Sequence, residues 1–455
     1  MNTVISHKNS ALTLFTLLTT LTSFSLFANT NDLNENSEYY QSLSPARQIE
    51  VCIVKGEQLK KLLNTPYQHY SLLALSKNGI LSPIPYQFDD QNVNGLIHVA
   101  GGKIPVNGNE GILEPQDELA FMLKDAGNKA STPQLDNTAG QLIAELSLGL
   151  ANGKQAFVYL FKDNPNRSEK VYTHYDTGTG LLTTGKFSQQ FDPESILIWE
   201  DYFYSDFEEQ RSLLDSAKIR IKIKFNLLKV TLNNRQLPSE IVAIKNGAIR
   251  SIIEMDASLS VFGKDIIAAG GNLTATENSL HFAVEATTPK AAAFIKDNLV
   301  IEYSYDFNKL DGMKFTSALA SGQPVLAGSG AFKPDLNSIS VDNSWFSGST
   351  GKGWDFIGFF QSNESFSGGI ELLFKDSSLN DEEDKPERMP GSHPQIGYYI
   401  KGVPAGAKFR FGIDFYYSSR FWENNGIKTA VDELKNPTLI TISFMPAPPT
   451  KAMAM

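Results

Sequence analysis

The sequence predicts an all-β protein, a large antiparallel β-sandwich with a few short helices. Its apolar runs are short, and turns rich in glycine separate them. Asn-Gly pairs stand between apolar runs at residues 78–79 and 246–247, and such pairs are a strong hairpin signal. No repeat of fixed period is present, which also favours a sandwich.

The apolar runs predict strands along the whole chain. They lie at residues 48–54, 70–76, 80–88, 118–123, 142–148, 155–161, 170–175, 196–204, 218–225, 241–244, 249–259, 279–286, 299–307, 369–374, 397–400, 408–417 and 438–445. A short helical turn is predicted at 56–63. A helix is predicted at 205–216, which has no glycine or proline, and a short helix is predicted at 427–434, where Ile427, Val431 and Leu434 share one face.

The first 28 residues have the pattern of a secretory signal peptide. Lys8 precedes an apolar run at 11–27, and Ala28 offers a small residue for cleavage. The alternative is a membrane anchor, but the many Thr and Ser residues lower the apolar character of the run. We expect cleavage, a disordered polar lead-in at 29–45, no membrane span in the mature chain, and a periplasmic or extracellular location.

Residues 46–455 are predicted to form one β-sandwich region, with a weak seam near 178–185 where Gly and Thr accumulate. The chain has one cysteine, so no internal disulfide can form. Cys52 lies in an apolar strand pattern that predicts a buried, unreactive thiol. A net charge of −10 argues against nucleic acid as a partner. The oligomeric state is left open.

Two oxygen-rich loops near the N-terminus form a candidate calcium site. Asp90, Asn92 and Asn94 precede Gly95 with the spacing that opens a calcium loop, but the twelfth position is Gly101 rather than a bidentate Glu. The second loop adds further oxygen ligands. They are Asn107, Asn109, Glu114, Asp117 and Glu118. The alternative interpretation is that Asp and Asn residues only form turns between strands.

Residues 218–225 alternate strictly between basic and apolar side chains, which is typical of a strand with one buried face. The basic face has two interpretations. In the first, it binds an anionic polymer such as an acidic polysaccharide. In the second, it is a solvated face or a charged edge that discourages aggregation.

Two aromatic-rich stretches form a candidate carbohydrate site. Their candidate ligand-binding residues are Trp199, Tyr202, Tyr204, Tyr416, Arg420 and Trp422. Saccharides bind through stacking on aromatic rings combined with hydrogen bonds to carboxylates, and both residue types occur here. The alternative is that aromatic residues at alternate strand positions belong to the core.

Signatures of catalysis are few. The sequence has no Gly-x-Ser-x-Gly motif and no His-Glu-x-x-His motif. The histidines are scattered singly. His98, beside the acidic loops, and His393, in a Pro-Gly-Ser-His-Pro stretch, are the loop residues to test first for catalysis.

Two short motifs carry a family resemblance. Residues 84–89, Ile-Pro-Tyr-Gln-Phe-Asp, and residues 117–121, Asp-Glu-Leu-Ala-Phe, bracket the polar loops, and residues 245–250 fit loosely a later Gly-x-x-Arg turn. In these features the chain resembles uncharacterised secreted bacterial proteins of galactose-mutarotase-like supersandwich type. The resemblance implies a supersandwich fold and a role around polysaccharide use. The paired His and Glu of a mutarotase have no counterpart here.

Three functional hypotheses follow. The first is an exported envelope or extracellular protein that contacts carbohydrate or an envelope polymer without catalysis, with calcium bracing its N-terminal loops. The second is an enzyme on polysaccharide, a lyase or glycoside hydrolase. The third is a structural or adhesive envelope component.

Overall fold

A computed structural model describes residues 38–225, 228–261, 264–289, 299–319, 324–329, 339–363, 368–375, 394–402, 406 and 408–446. The predicted signal peptide, most of the predicted lead-in and His393 lie outside the described residues. Among the helices of this part of the chain, none has the length and apolar character needed to cross a membrane.

The described residues form strands whose pairings are all antiparallel, so the all-β prediction is confirmed. In chain order the strands are β1 (Val51–Lys55), β2 (Tyr70–Leu75), β3 (Leu81–Pro83), β4 (Gln87–Asp89), β5 (Glu118–Met122), β6 (Gln141–Gly149), β7 (Gln155–Lys162), β8 (Thr173–Asp176), β9 (Leu181–Thr184), β10 (Phe187–Asp192), β11 (Ser195–Tyr204), β12 (Leu214–Phe225), β13 (Leu228–Asn233), β14 (Ser239–Asn246), β15 (Ser251–Val261), β16 (Lys264–Ala275), β17 (Ser279–Thr287), β18 (Leu299–Phe307), β19 (Lys314–Ser317), β20 (Val325–Leu326), β21 (Phe346–Ser349), β22 (Asp355–Ser362), β23 (Gly369–Lys375), β24 (Gln395–Lys401), β25 (Lys408–Ser418) and β26 (Ile440–Phe444).

The main sandwich is built on a nine-stranded sheet with the order β14-β15-β16-β17-β25-β22-β21-β19-β20. Its inner face shares one hydrophobic core with a five-stranded sheet, β13-β12-β18-β24-β23, and a four-stranded sheet, β11-β10-β9-β8. Strand β17 shows why its sequence folds this way. Leu280, Phe282 and Val284 alternate into the core, so the side chains between them, including His281, project from the opposite face of the sheet.

A second core lies in an N-terminal unit made of two smaller sheets, β1-β5-β4 and β26-β6-β7-β2-β3. Strand β26, from the C-terminal end of the described chain, pairs with β6 and so completes this unit. Cys52 in β1 is buried, as predicted, and burial raises the pKa of its thiol, which keeps it unreactive.

The helices are short: α1 (Glu38–Gln41), α2 (Pro45–Gln48), α3 (Thr132–Asp136) and α4 (Ile427–Lys435). Helix α4 confirms the prediction for 427–434, and it packs against α2 with Ala430 and Val431 buried. The lead-in prediction is wrong for its last residues, because α1 forms there and Leu43 is buried in the second core. Burial of that side chain orders the segment.

The helix predicted at 205–216 is absent. These residues form a turn, and β12 begins at Leu214, because Leu214 pairs with β18 and is buried with Leu213 in the main core. Pairing within the sheet therefore outweighs local helix propensity. The weak seam at 178–185 contains β9, which pairs with β8 and β10, so the sheet continues through it.

The predicted strand at 80–88 is divided into β3 and β4, which pair in different sheets. Pro83 ends β3 and Pro85 lies in the break, and proline cannot donate to a strand ladder. The division sends Gln87 and Asp89 into the three-stranded sheet, where both side chains are buried.

The polar face of β12 differs from both interpretations of the sequence. Lys218 and Arg220 are buried rather than solvated or open to a polymer. Lys218 Nζ lies 2.6 Å from Asp306 on β18, and the two side chains are each about 1% exposed. Lys222 pairs with Glu302 at 3.1 Å, and only Lys224 at the end of the row is exposed. The basic residues of β12 therefore meet an acidic row on the neighbouring strand.

Candidate functional site

The motif residues converge on one buried network of charges. Arg250 Nε donates to Asp89 Oδ2 at 2.7 Å, and its Nη2 contacts Glu118 Oε2 at 2.5 Å. Lys245 lies 2.7 Å from Asp89, and Lys55 lies 2.7 Å from Glu118. The three motifs at 84–89, 117–121 and 245–250, which are distant in the chain, are therefore parts of one structure.

Burial alone would raise the pKa of Asp89 and of Glu118, but the charges of Arg250 and of the neighbouring lysines outweigh it and hold both pKa values below their ordinary range. Both carboxylates are thus ionised at neutral pH. Because β4 and β5 belong to the N-terminal unit and Arg250 precedes β15, the ion pairs join that unit to the nine-stranded sheet.

A glycine makes this junction possible. Gln87 Oε1 accepts hydrogen bonds from the backbone N–H groups of Ile249 and Arg250, at 3.2 and 3.0 Å. A Cβ atom on Gly247 would lie 1.9 Å from that oxygen. Only glycine leaves space for Gln87 to reach the turn between β14 and β15.

A cleft of about 530 Å³ lies beside the network, between the N-terminal unit and the outer face of the nine-stranded sheet. Gln91, Glu118 and Arg250 line one wall. The floor is made by outward-facing residues of neighbouring strands, and Ala283 and Gly412 in that floor have little or no side chain. Small residues at the centre of the floor leave the space that forms the cleft.

A chain of hydrogen bonds crosses the floor. His281 on β17 faces Asp414 on β25, and Nδ1 of the imidazole lies 3.0 Å from Asp414 Oδ1. Its Nε2 lies 2.8 Å from Ser279 Oγ, which in turn lies 2.5 Å from Thr276 Oγ1. The side chains of His281 and Asp414 are 27% and 19% exposed, and all four residues line the cleft.

Tyr416 and Phe411 supply the aromatic rings of the cleft. The ring of Tyr416 lies edge-on to the His281 ring with centroids 5.3 Å apart. Burial, followed by the charges of Asp414 and Glu50, raises the pKa of Tyr416, so its hydroxyl stays protonated at neutral pH. The cleft therefore combines an aromatic ring, a hydroxyl donor, an imidazole and carboxylates.

The predicted aromatic binding residues do not lie together. Trp199, Tyr202 and Tyr204 are buried in the main core, where Trp199 packs edge-on against Phe191 with centroids 5.2 Å apart. The ligand-binding prediction is wrong for these three residues, because a core ring cannot stack on a ligand. The alternative interpretation, that these aromatic residues belong to the core, is the correct one.

The other predicted binding residues are divided between two places. Tyr416 lies in the cleft. Arg420 is exposed and pairs with Glu423 at 2.9 Å, while Trp422 is half-buried and donates to Ser347 Oγ at 2.9 Å. Neither Arg420 nor Trp422 lines the cleft that Tyr416 lines.

The predicted calcium ligands already have protein partners for many of their oxygens. Asp117 accepts backbone N–H groups on both oxygens, and Glu118 belongs to the buried charge network. Asn92 Oδ1 accepts from the backbone of Asn94, which is a turn geometry.

The remaining predicted ligands of the second loop make contacts within it. Glu114 accepts from the backbone of Asn109, and the backbone oxygen of Asn107 accepts from Gln116.

Asp90, in the first loop, has one oxygen with a partner and one without. Its Oδ2 accepts from the Tyr67 hydroxyl, whereas its buried Oδ1 has no hydrogen-bond partner among the described residues. Calcium binding stays a prediction.

His98 holds its loop. Its Nδ1 lies 2.6 Å from the backbone oxygen of Ile104, and its ring is largely covered. The sequence singled out His98 and not His281, although His281 is the histidine in the cleft. The alternation in β17 already places His281 opposite the core side chains. No sequence pattern, however, joins it to Asp414, which is distant in the chain.

No protein-family model matches the chain, and a search of curated proteins finds no similar sequence. Among solved structures the chain is similar to an alpha-mannosidase from Enterococcus faecalis V583, with a TM-score of 0.42 and 8% identity over 87% of this chain and 44% of that one. It is also similar to the alpha-N-acetylgalactosaminidase NagBb from Bifidobacterium bifidum, with a TM-score of 0.33 and 10% identity over 55% of this chain and 38% of that one.

A GalM/aldose epimerase homologue from C. elegans gives a TM-score of 0.28 and 11% identity over 61% of this chain and 92% of that one. The chain spans less than half the length of the mannosidase and of NagBb.

Proposed function

We propose that the cleft binds a saccharide and that the protein contacts carbohydrate in the periplasm or outside the cell. The observation that carries the proposal is the composition of the cleft. Its volume of about 530 Å³ falls within the usual range for small-molecule sites, and polar groups from several strands line it together with the aromatic side chains of Phe411 and Tyr416.

The side chains suit the two surfaces of a sugar. Tyr416 supplies an apolar ring surface for the C–H groups of a pyranose, and the carboxylate of Asp414 can accept hydrogen bonds from its hydroxyl groups. Arg410 and Gln361 add donors at the rim of the cleft. Arg410 Nη1 also donates to the backbone oxygen of Asn94 at 2.5 Å, so the loop of the N-terminal unit fixes its position.

The proposed location is supported by the N-terminal sequence alone. An apolar run follows Lys8, and the single cysteine suits an exported protein that does not rely on disulfides. An envelope polysaccharide or another extracellular glycan is the partner we expect.

Calorimetry with neutral and uronate-containing oligosaccharides tests the proposal. We expect one class to bind, and we expect Tyr416→Ala and Asp414→Asn each to weaken binding at least about tenfold, which corresponds to about 1.4 kcal/mol. The control is Asp432→Asn, which changes an exposed carboxylate on α4. Absence of binding to every oligosaccharide contradicts the proposal and favours a structural or adhesive envelope component.

We also propose that calcium binds at the oxygen-rich loops, centred on Asp90 and Asp117. Burial raises the pKa of Asp117 to about 6 even though two backbone N–H groups donate to it, and the nearby charge of Asp90 adds to the rise. A cation beside the Oδ1 of Asp90 would relieve this repulsion and supply the partner that this oxygen lacks.

Thermal unfolding with and without calcium tests the second proposal. At a concentration 100 times the dissociation constant, calcium should stabilise the folded protein by about 2.7 kcal/mol and raise the midpoint. Asp90→Asn should abolish the rise, whereas Asp136→Asn on the exposed side of α3 should preserve it. A midpoint that neither calcium nor a chelator changes contradicts a calcium site.

A further inference from the structure

The hydrogen-bonded chain in the cleft has the connectivity of a nucleophilic triad. Ser279 Oγ lies 2.8 Å from His281 Nε2, and the other ring nitrogen lies 3.0 Å from Asp414 Oδ1. We propose that Ser279, His281 and Asp414 hydrolyse a small ester substituent on the saccharide that the cleft binds. The inference rests on the proposed function for its substrate and adds a reaction to it.

The partners of the imidazole suit one neutral tautomer. A carboxylate only accepts hydrogen bonds, so a neutral His281 ring facing Asp414 donates from Nδ1. Its Nε2 then accepts the hydrogen of the Ser279 hydroxyl. This is the tautomer in which a histidine acts as a general base for a serine.

The strand register explains how the three residues meet. Ser279 and His281 are two residues apart on β17, so their side chains lie on the same face, and His281 is directly opposite Asp414 on β25. The pair alone could be an ordinary cross-strand contact. Ser279 extends it by a hydroxyl in the floor of the cleft, which a cross-strand contact does not require.

The reaction proceeds in two steps, acylation of Ser279 and then hydrolysis of the acyl-serine. Ser279 Oγ attacks the ester carbonyl carbon while its proton passes to His281 Nε2. The bond between that carbon and the saccharide oxygen then breaks, and the oxygen leaves as a hydroxyl after taking the proton from His281. Water next attacks the acyl-serine with His281 as base, and the carboxylic acid and free serine are released.

The position of Ser279 limits the substrate. Ser279 is only 3% exposed, so the acyl group must be small enough to reach its hydroxyl in the floor of the cleft, and an acetyl group is the expected size. The Thr276 hydroxyl lies 2.5 Å from Ser279 Oγ, and we assign it as a donor to the negative charge that develops on the carbonyl oxygen.

The test combines ester hydrolysis with covalent labelling of the purified protein. With p-nitrophenyl acetate and an acetylated oligosaccharide, we expect Ser279→Ala, His281→Ala and Asp414→Asn each to lower the hydrolysis rate at least tenfold. A small organophosphate should modify Ser279, as located by peptide mass spectrometry. His174→Ala, which changes an exposed histidine on β8, should keep both the rate and the label.

The two proposals fail in different ways. Equal hydrolysis rates for the unchanged protein and Ser279→Ala, with no label on Ser279, overturn the triad even when oligosaccharide still binds. Hydrolysis of p-nitrophenyl acetate that depends on Ser279, with no oligosaccharide binding in calorimetry, supports the triad and overturns only the carbohydrate proposal. Ser279→Ala removes a single oxygen atom, so we expect its thermal midpoint to match that of the unchanged protein. An unchanged midpoint would show that a lost rate does not reflect lost folding.

Discussion

Arg250→Met is expected to lower the free energy of unfolding by about 3–5 kcal/mol, because removing one partner leaves the others buried without full compensation. Asp89 and Glu118 would keep Lys245 and Lys55 but lose the guanidinium that joins them. The same substitution should loosen the wall of the cleft. Urea unfolding measures the free energy, and saccharide affinity reports on the cleft.

The matched control for this prediction is Arg420→Met. Arg420 is also an arginine in a carboxylate pair, but its side chain is 49% exposed, so its removal should change stability by about 1 kcal/mol or less. Equal losses in the two variants would contradict the role that we assign to the buried network.

The effect of Arg250→Met should also depend on pH. Asp89 and Glu118 have lowered pKa values in the folded protein, so their ion pairs stabilise it above the ordinary carboxyl pKa, and this contribution is lost as the pH falls through the lowered values. The difference between the variant and the unchanged protein should therefore be largest near pH 7 and should shrink in acid.

Lys218→Met is the second substitution with a large expected effect. It removes the lysine of the buried ion pair with Asp306 and should lower the free energy of unfolding by about 3–5 kcal/mol. Lys224→Met is the control, because Lys224 lies on the same face of the same strand but is exposed, and its loss should be small.

A double variant separates the charge from the packing. Lys218→Met combined with Asp306→Leu replaces the buried pair by apolar side chains, which is often neutral, so the double variant should be more stable than Lys218→Met alone. A double variant less stable than the single one would show that these side chains are held by other contacts.

The strands were predictable because burial on one face imposes period two on the sequence. The pattern at 218–225 gave both the strand and its apolar face, and Ile219, Ile221 and Ile223 are buried as expected. The pattern could not show that Lys218 pairs with an acidic residue of β18, Asp306. Whether a polar face is solvated depends on the neighbouring strand, which is distant in sequence.

The site was predictable only in part for the same reason. The motifs at 84–89, 117–121 and 245–250 contain residues of the charge network, but the sequence predicted Glu118 as a metal ligand and did not predict its ion pair with Arg250. Tyr416 was identified from its aromatic context. His281 and Asp414 were not identified, because only the pairing of β17 with β25 brings them together.

The most direct test of the account is a crystal structure of the protein with a bound oligosaccharide. We predict that the sugar lies in the cleft, with one ring against Tyr416 and a hydroxyl group within hydrogen-bond distance of Asp414. A saccharide bound at Trp422 and Arg420, or anywhere outside the cleft, would contradict it.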